Sequence, residues 1–460
     1  MRSDGQMLRA VLKKLQRSGD LFECRTPVDP RFELGAVLSA CQNERPTLFT
    51  SVKGHGMPVA GAIYGNRRIF CDLLETTVPE RNYKLVSAIA NPAKPAVASG
   101  PAPVHENVVD RGIDILKMLP VPTSNGLDRA PFLTAGMIVH RDLETGRSHM
   151  AVRRFQVNRG GSINVLVSGA SPHLRAMLAK CRDLNKEVEC AVVLGYDAFL
   201  LAASQIGSQK YGLDKYEVDS ALRGEPLRLT RCRTNSLLVP AEAEIVLEGV
   251  MRPGNAGPEG PFAELMGYYS PEGAAPLMDV KCLTHRNNPV FQHAFPCREE
   301  HLAYGLIKEA EILTALCQTV DPVDVNLTLG GGCRLHAVVS IRKRHPGDGK
   351  SAILAALGAY KDIKHVVVVD DDVDIFDMRD VEFALASRFQ ASRDLVRVDG
   401  ALGSPLEASH AELGVTDKLG FDATKPLGPN AGLYVRSNIP GFENGADLSR
   451  YDIRAFNGRL

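Results

Sequence analysis

Two glutamates, Glu259 and Glu264, stand five positions apart in the run Pro258-Glu-Gly-Pro-Phe-Ala-Glu-Leu-Met-Gly-Tyr-Tyr269. Gly260 and Pro261 lie between them. Neither suits a helix interior, because proline lacks the amide donor and glycine is a poor helix former. The pair therefore belongs on a turn, not on one face of a helix. Phe262, Leu265, Met266 and Tyr268 give that turn partly apolar surroundings. There, burial and mutual repulsion make one carboxyl hold its proton up to neutral pH, as a proton donor must. The plainer alternative is an exposed acidic loop, and the turn alone does not decide between them.

A cation able to separate the roles of the two acids sits elsewhere. The segment Ser148-His-Met-Ala-Val-Arg-Arg-Phe-Gln-Val157 reads as a strand, so Arg153 and Arg154 project to opposite faces. A rim arginine with its head in solvent is the plain reading. An inward Arg154 paired with Glu259 would favour that acid's charged form and leave Glu264 to carry the mobile proton. His293, Arg298 and His301 fall together in FQHAFPCREEHLAYG. Arg298 or the helix N-terminus there could grip a substrate carboxylate. Exposed polar residues between domains are the alternative.

Periodicity supplies the elements that must hold these groups. Helical spacing over residues 7–17 and in ELGAVLSACQ, with β-like runs TLFTSV, PVAGAIYG and RIFCDLL, describes an α/β domain. It ends near the Pro-rich linker 92–104. FLTAGMIVHRD, SHMAVRRFQV and SINVLVSG are strands joined by short polar or glycine turns, an antiparallel meander. The helices HLRAMLAKCRDL and KYEVDSALRG interrupt it. AEIVLEGVM, DVKCLTHR and PVFQHAF return to strand, so a sheet closing on itself with inserted helices is the economical arrangement. HLAYGLIKEAEILTALCQ is the longest helix, and DVNLTL, CRLHAVVSIRK, SAILAALGAYK, HVVVVDD and VEFALASRF alternate as a final α/β unit.

At this point the chain resembles the UbiD family of reversible decarboxylases, which use prenylated flavin mononucleotide. The resemblance is carried by H-M-A-V-R-R-F-Q-V, Y-E-V-D-S-A-L-R-G-E-P, A-E-I-V-L-E-G, E-G-P-F-A-E-L-M-G-Y-Y and K-L-G-F-D-A-T-K-P, in the family's order. It implies an α+β fold, with a central split β-barrel flavin-binding domain flanked by an N-terminal α/β domain and a C-terminal α/β oligomerisation domain joined by a long helix. The divisions are 1–110, 111–300, 301–320 and 321–460. It places the catalytic trio on Arg154, Glu259 and Glu264. The flavin contacts fall on His149, Val152, Arg153, Arg154, Val167, Ser168, Lys215 and Lys418, with Lys418 on the phosphate. The implied reaction is loss of CO2 from an unsaturated or (hetero)aromatic acid through a covalent flavin adduct, with Glu264 protonating the carbon. A flavin prenyltransferase supplies the cofactor, and the assembly is a homodimer or larger.

One departure stands out. The family holds the flavin phosphate through a divalent ion and potassium on an Asn, a His and a Glu. Here the Asn position is His149, the Glu position is Lys215, and the His position falls near Gly169, with His173 the nearest alternative. A protonated lysine cannot ligate a hard cation but can neutralise phosphate directly. The expectation is prenylated FMN with potassium permitted, a divalent ion disfavoured, and Lys215, Lys418 and Arg153 sharing the phosphate charge.

Rival chemistries are weaker. Asp370-Asp-Asp-Val-Asp374 could hold a divalent metal for phosphoryl transfer. Gly330-Gly-Gly332 lacks the lysine and following helix of a phosphate loop. A flavin-binding or assembly component without turnover is the alternative of a different class. The 54 basic and 54 acidic residues balance, so no global field favours nucleic acid or an anionic membrane. No apolar run approaches the roughly 20 residues of a bilayer span. The N-terminus lacks a signal core, and the ten cysteines are scattered singly. Those features describe a cytoplasmic protein acting on a small-molecule carboxylic acid.

Overall fold

The computed structural model describes residues 5–42, 44–167, 172–207, 212–264, 266–296, 299–410, 412, 414–437, 439–440 and 450–451. The meander is present: Phe132–Arg141, Ser148–Val157 and Ser162–Val165 are consecutive antiparallel neighbours. Val188–Leu194 and Ile245–Glu259 extend the sheet on one side and Gly273–His285 on the other. Because Ile245–Glu259 also pairs with Gly273–His285, six strands close a hydrogen-bonded ring. Asn107–Val109 adds a seventh strand on Gly273–His285.

Side chains alternate across this sheet, as a period of two requires. Ile138, Phe155, Val192 and Leu247 enter one apolar core, while Met137, Val139, Val193 and Val246 enter the other. The second core also receives Leu8 of the helix Met7–Ser18, Leu200 of Ala198–Ser204 and Leu222 of Lys215–Arg223. Each such aliphatic side chain contributes roughly 1.5–3 kcal/mol when fully buried. The period-two pattern thus fixes which way every strand faces. Gly136 lies opposite Arg153, and a β-carbon there would sit 2.5 Å from the Phe155 ring.

Two expectations need correction. RIFCDLL is a helix, Arg67–Leu73, not a strand: the Asn66 side chain accepts from Ile69 N at 3.1 Å and caps it. The Pro-rich stretch is not free linker throughout, since Ala96–Val97 pairs in parallel with Arg228–Leu229. The N-terminal sheet comprises Phe22–Cys24, Thr47–Phe49, Val59–Gly61 and, from much later in the chain, Phe291–His293. That last strand brings the His293 segment into contact with N-terminal elements.

The long helix Glu299–Leu316 leads to a five-stranded sheet ordered Pro322–Leu327, His336–Ile341, His365–Asp370, Val415–Asp422, Leu395–Leu402. A buried ionic knot ties helix, sheet and N-terminal region together. Glu309 accepts from Arg67 at 2.7 and 2.8 Å, from Arg81 at 2.9 and 3.0 Å, and from Leu327 N at 2.8 Å. Arg81 also reaches Asp324 through two nitrogens at 3.0 Å. Burial pushes the Glu309 carboxyl up, but Arg67 and Arg81 outweigh it and hold it below its ordinary value. None of the described helices is long and apolar enough to cross a membrane.

Candidate active site

The hairpin between Phe132–Arg141 and Ser148–Val157 sets the register of the site. The Asp142 carboxylate accepts from Glu144 N at 2.9 Å and Thr145 N at 2.8 Å, and Gly146 takes a left-handed φ of 68°. The turn places His140 opposite His149 and Gly136 opposite Arg153. Arg153 and Arg154 then diverge, as strand geometry demands.

Arg154 goes to the acids. Its Nε and one terminal nitrogen donate to both oxygens of Glu259 at 2.8 and 2.9 Å, and its remaining nitrogen donates to Glu264. The sequence expectation that this cation serves one acid is therefore corrected: it bridges both. The acids themselves are not equivalent. The side chain of Glu259 is 3% exposed and held bidentately, whereas that of Glu264 is 20% exposed. Nor do they share a simple turn. Glu259 ends a long strand, and Glu264 follows the short strand Phe262–Ala263, which pairs with Tyr269–Ser270. Phe262 lies under the guanidinium at 4.7 Å and against Phe132 at 4.5 Å, giving the trio an apolar floor.

Side chains absent from the sequence reading fix this turn. Gln156 accepts from Gly260 N at 3.1 Å and donates to the Pro258 carbonyl at 3.0 Å. Asn164 donates to the carbonyls of Gly257 and Ala275 at 3.2 and 3.1 Å. Asp128 accepts from Ala263 N at 3.0 Å and Asn125 N at 2.9 Å, and burial raises its carboxyl above the ordinary range. Every backbone group near the acids that these side chains engage is one fewer source of play in their geometry.

Arg153 goes to a second cluster. His149 stacks on His173 at 4.2 Å between ring centres and lies 4.9 Å from His140. Lys215, at the first position of its helix, donates to the Met150 carbonyl at 2.8 Å and to the Ser204 carbonyl. Burial, reinforced by Arg153 and Lys308, lowers the Lys215 ammonium to about 7. Burial and the surrounding cations lower His140 to about 4 and push His149 far below the usual imidazole range. Burial lowers Arg153 to about 10. His140 is 1% exposed, and its two ring nitrogens and the Arg153 Nε find no hydrogen-bond partner among the described residues. Two buried cations, Arg153 and Lys215, thus lie beside neutral histidines and unpartnered nitrogens, surroundings that suit an anion. His140 was legible only through the hairpin register.

The other expected residues fall as follows. Val152 and Val167 pack at the edges of the two apolar cores. His293 is buried between Thr134 Oγ1 at 3.0 Å and Ser124 Oγ at 3.5 Å, and burial lowers it to about 3. His301 lies in the first turn of the long helix, lowered to about 3 by burial and by Arg334. Ser168 and Arg298 lie outside the described residues. Lys418 does not join the cluster: its ammonium donates to the Lys361 carbonyl at 2.7 Å within the C-terminal region, where Asp362 is its neighbouring acid. The Asp370 run is not poised for a metal. Arg388 takes Asp370 at 3.0 Å and Asp372 at 2.9 and 3.0 Å, and Lys425 reaches Asp372 at 3.2 Å. The nine described cysteines are unpaired, six of them buried.

Comparison with known proteins agrees with this architecture. Residues 12–89, 96–299 and 301–423 match the N-terminal, Rift-related and C-terminal domains of 3-octaprenyl-4-hydroxybenzoate carboxy-lyase, the UbiD family. The chain is 32% identical over 432 residues to the anhydromevalonate phosphate decarboxylase of Methanosarcina mazei, covering 91% of this chain and 96% of that one. It is 30% identical to the phenolic acid decarboxylase of Bacillus subtilis, covering 92% and 93%. The UbiD-class enzyme HmfF from Pelotomaculum thermopropionicum in complex with FMN superposes with a TM-score of 0.93 at 38% identity, over 97% of this chain and 100% of that one. An evolved dimeric form of the same enzyme in complex with prFMN gives 0.89 at 36% identity, with the same coverage. With all three domains matched in order and both acids on one arginine, the chain belongs to the UbiD family of carboxy-lyases.

Proposed function

We propose that this chain catalyses reversible, non-oxidative decarboxylation of an unsaturated or (hetero)aromatic carboxylic acid, with prenylated FMN as cofactor and Glu264 as the proton donor. The observation that carries the reading is the asymmetry around Arg154. Glu259 is buried and held by two guanidinium nitrogens, while Glu264 takes one and is the more open acid. The modified flavin, when bound, supplies the electron sink for the carbon that loses CO2. The protein's residues do the rest. Arg154 and Glu259 orient the site, Glu264 delivers one proton to the carbon left by the departing carboxylate, and solvent restores that proton. Net change is one carboxylate and one proton converted to CO2 and a C–H bond.

The cluster around Arg153 and Lys215 fits the cofactor's phosphate, and the unpartnered His140 and Arg153 nitrogens support that reading. We infer that the six-strand ring is the split barrel of the flavin-binding domain, within the division 1–110, 111–300, 301–320 and 321–460. Arg298 is proposed to grip the substrate carboxylate. A flavin prenyltransferase is the expected cofactor supplier, and a homodimer the smallest expected assembly. The test is a proton–deuterium exchange screen of candidate acids with flavin-loaded protein in D2O. Label entering the carbon that carried the carboxylate, and lost in Glu264→Gln, supports the reading. Absence of exchange from every unsaturated and aromatic acid with spectroscopically loaded protein overturns it.

A further inference from the structure

We infer that the flavin phosphate is held by a cradle of nitrogen donors alone, His140, His149, His173, Arg153 and Lys215, without a divalent ion. The inference rests on the flavin reading above for the identity of the ligand. Its geometry is independent of the carboxylate trio. Four elements converge on the cradle: His140 from Phe132–Arg141, His149 and Arg153 from Ser148–Val157, and His173 and Lys215 from the two helices Pro172–Asp183 and Lys215–Arg223.

The charge count supports it. A phosphomonoester carries close to two negative charges at neutral pH, and Arg153 with a protonated Lys215 supplies two positive ones. A neutral His140, whose ring nitrogens have no partner among the described residues, then offers an N–H. Among the described residues Lys215 uses two of its three ammonium donors, on the Met150 and Ser204 carbonyls. A hard divalent cation prefers oxygen ligands, and the side chains of this cradle offer nitrogen alone. Among the described residues no group of three or more His, Cys, Asp or Glu could hold a metal ion. The acid whose field reaches His140 and His173 is Asp142, and it caps the hairpin turn with its own oxygens.

FMN and riboflavin differ by the phosphate alone, so their titration into chelator-treated apoprotein reads the cradle directly. FMN is expected to bind at least about 100-fold more tightly than riboflavin, as two charge-assisted contacts supply. That ratio should be indifferent to EDTA and to added Mn2+ or Mg2+. His140→Phe should weaken FMN by about tenfold while leaving riboflavin unchanged. The wild-type measurement needs no variant, so a misfolded mutant does not shelter the idea. Collapse of FMN affinity to that of riboflavin on chelation, with recovery on adding metal, overturns the metal-free cradle. Equal affinity for the two flavins from the start overturns the phosphate site itself. Neither readout involves a carboxylic acid, so failure here is distinguishable from failure of the decarboxylase reading.

Discussion

Arg154 spends all three guanidinium nitrogens on two carboxylates, two on Glu259 at 2.8 and 2.9 Å and one on Glu264. A lysine has one compact ammonium and cannot reproduce a planar fork. Arg154→Lys should therefore lose about 10²-fold or more in exchange rate, the scale on which misplacement by about 1 Å acts. Arg154→Ala leaves two acids side by side in a nearly closed site. Removing one partner of a buried pair costs about 3–5 kcal/mol, which should show as a lower urea midpoint at pH 7 that recovers as the acids protonate. An Arg154→Ala protein with wild-type stability at every pH would show that the trio is not electrostatically coupled.

Glu264→Gln keeps shape and removes the transferable proton. Turnover and deuterium exchange should fall by about 10²–10⁴, while flavin absorbance is retained because the proposed phosphate site lies around Lys215 and the histidines. Glu259→Gln should differ in kind: it weakens a bidentate charge-assisted contact and should shift the bound-flavin spectrum as well as the rate. Identical behaviour of the two variants would remove the division of labour between the acids.

Much of this was legible because period-two strands and Pro-bounded turns are local signals. SHMAVRRFQV announced two divergent arginines, and E-G-P-F-A-E announced two acids off a helix. What local signals could not show was partnership across sequence distance. Phe291–His293 pairs with Val59–Gly61, more than two hundred residues away. His140 matters only because the Asp142 turn sets it opposite His149. Lys418 carried the right charge, but its direction is decided by a strand pairing that points it at the Lys361 carbonyl. RIFCDLL was misread because a short apolar run fits either period, and the cap at Asn66 was the signal passed over.

The Glu309 knot predicts acid lability. The two arginines hold the folded carboxyl below its ordinary 4.5 against the opposing pull of burial, so the unfolded chain takes up a proton first as pH falls. Stability from this group is fully present above about 4.5 and is lost as pH drops through the folded value. Glu309→Gln should cost about 3–5 kcal/mol at pH 7 by leaving Arg67 and Arg81 buried and underpaired. Urea midpoints of the two proteins should converge only once pH has fallen below the lowered folded value. Parallel pH profiles would show that Glu309 is not the linked group.

Lys215 predicts a pH response of opposite sign in the empty and loaded protein. Burial, then Arg153 and Lys308, bring its ammonium down to about 7, against roughly 10.4 in an unfolded chain. The groups around it are His149 and Arg153 from its neighbouring strand, His140 from the next, His173 from the adjacent helix and Lys308 from the long helix. None is an acid. Between pH 7 and 10 the unfolded chain therefore holds a proton that the folded apoprotein lacks, and apoprotein stability should rise with pH, by up to about 1.4 kcal/mol per unit. A bound phosphate, already dianionic above pH 6, favours the charged ammonium, so binding takes up a proton. FMN affinity should fall by up to about tenfold per pH unit above 7, with riboflavin flat over the same range. A site that held the phosphate through a metal would respond the other way, since its ligands bind metal better as they deprotonate. Lys215→Met should remove the slope. FMN affinity that climbs between pH 7 and 9 in wild-type protein would mean that Lys215 is not the phosphate's counter-charge.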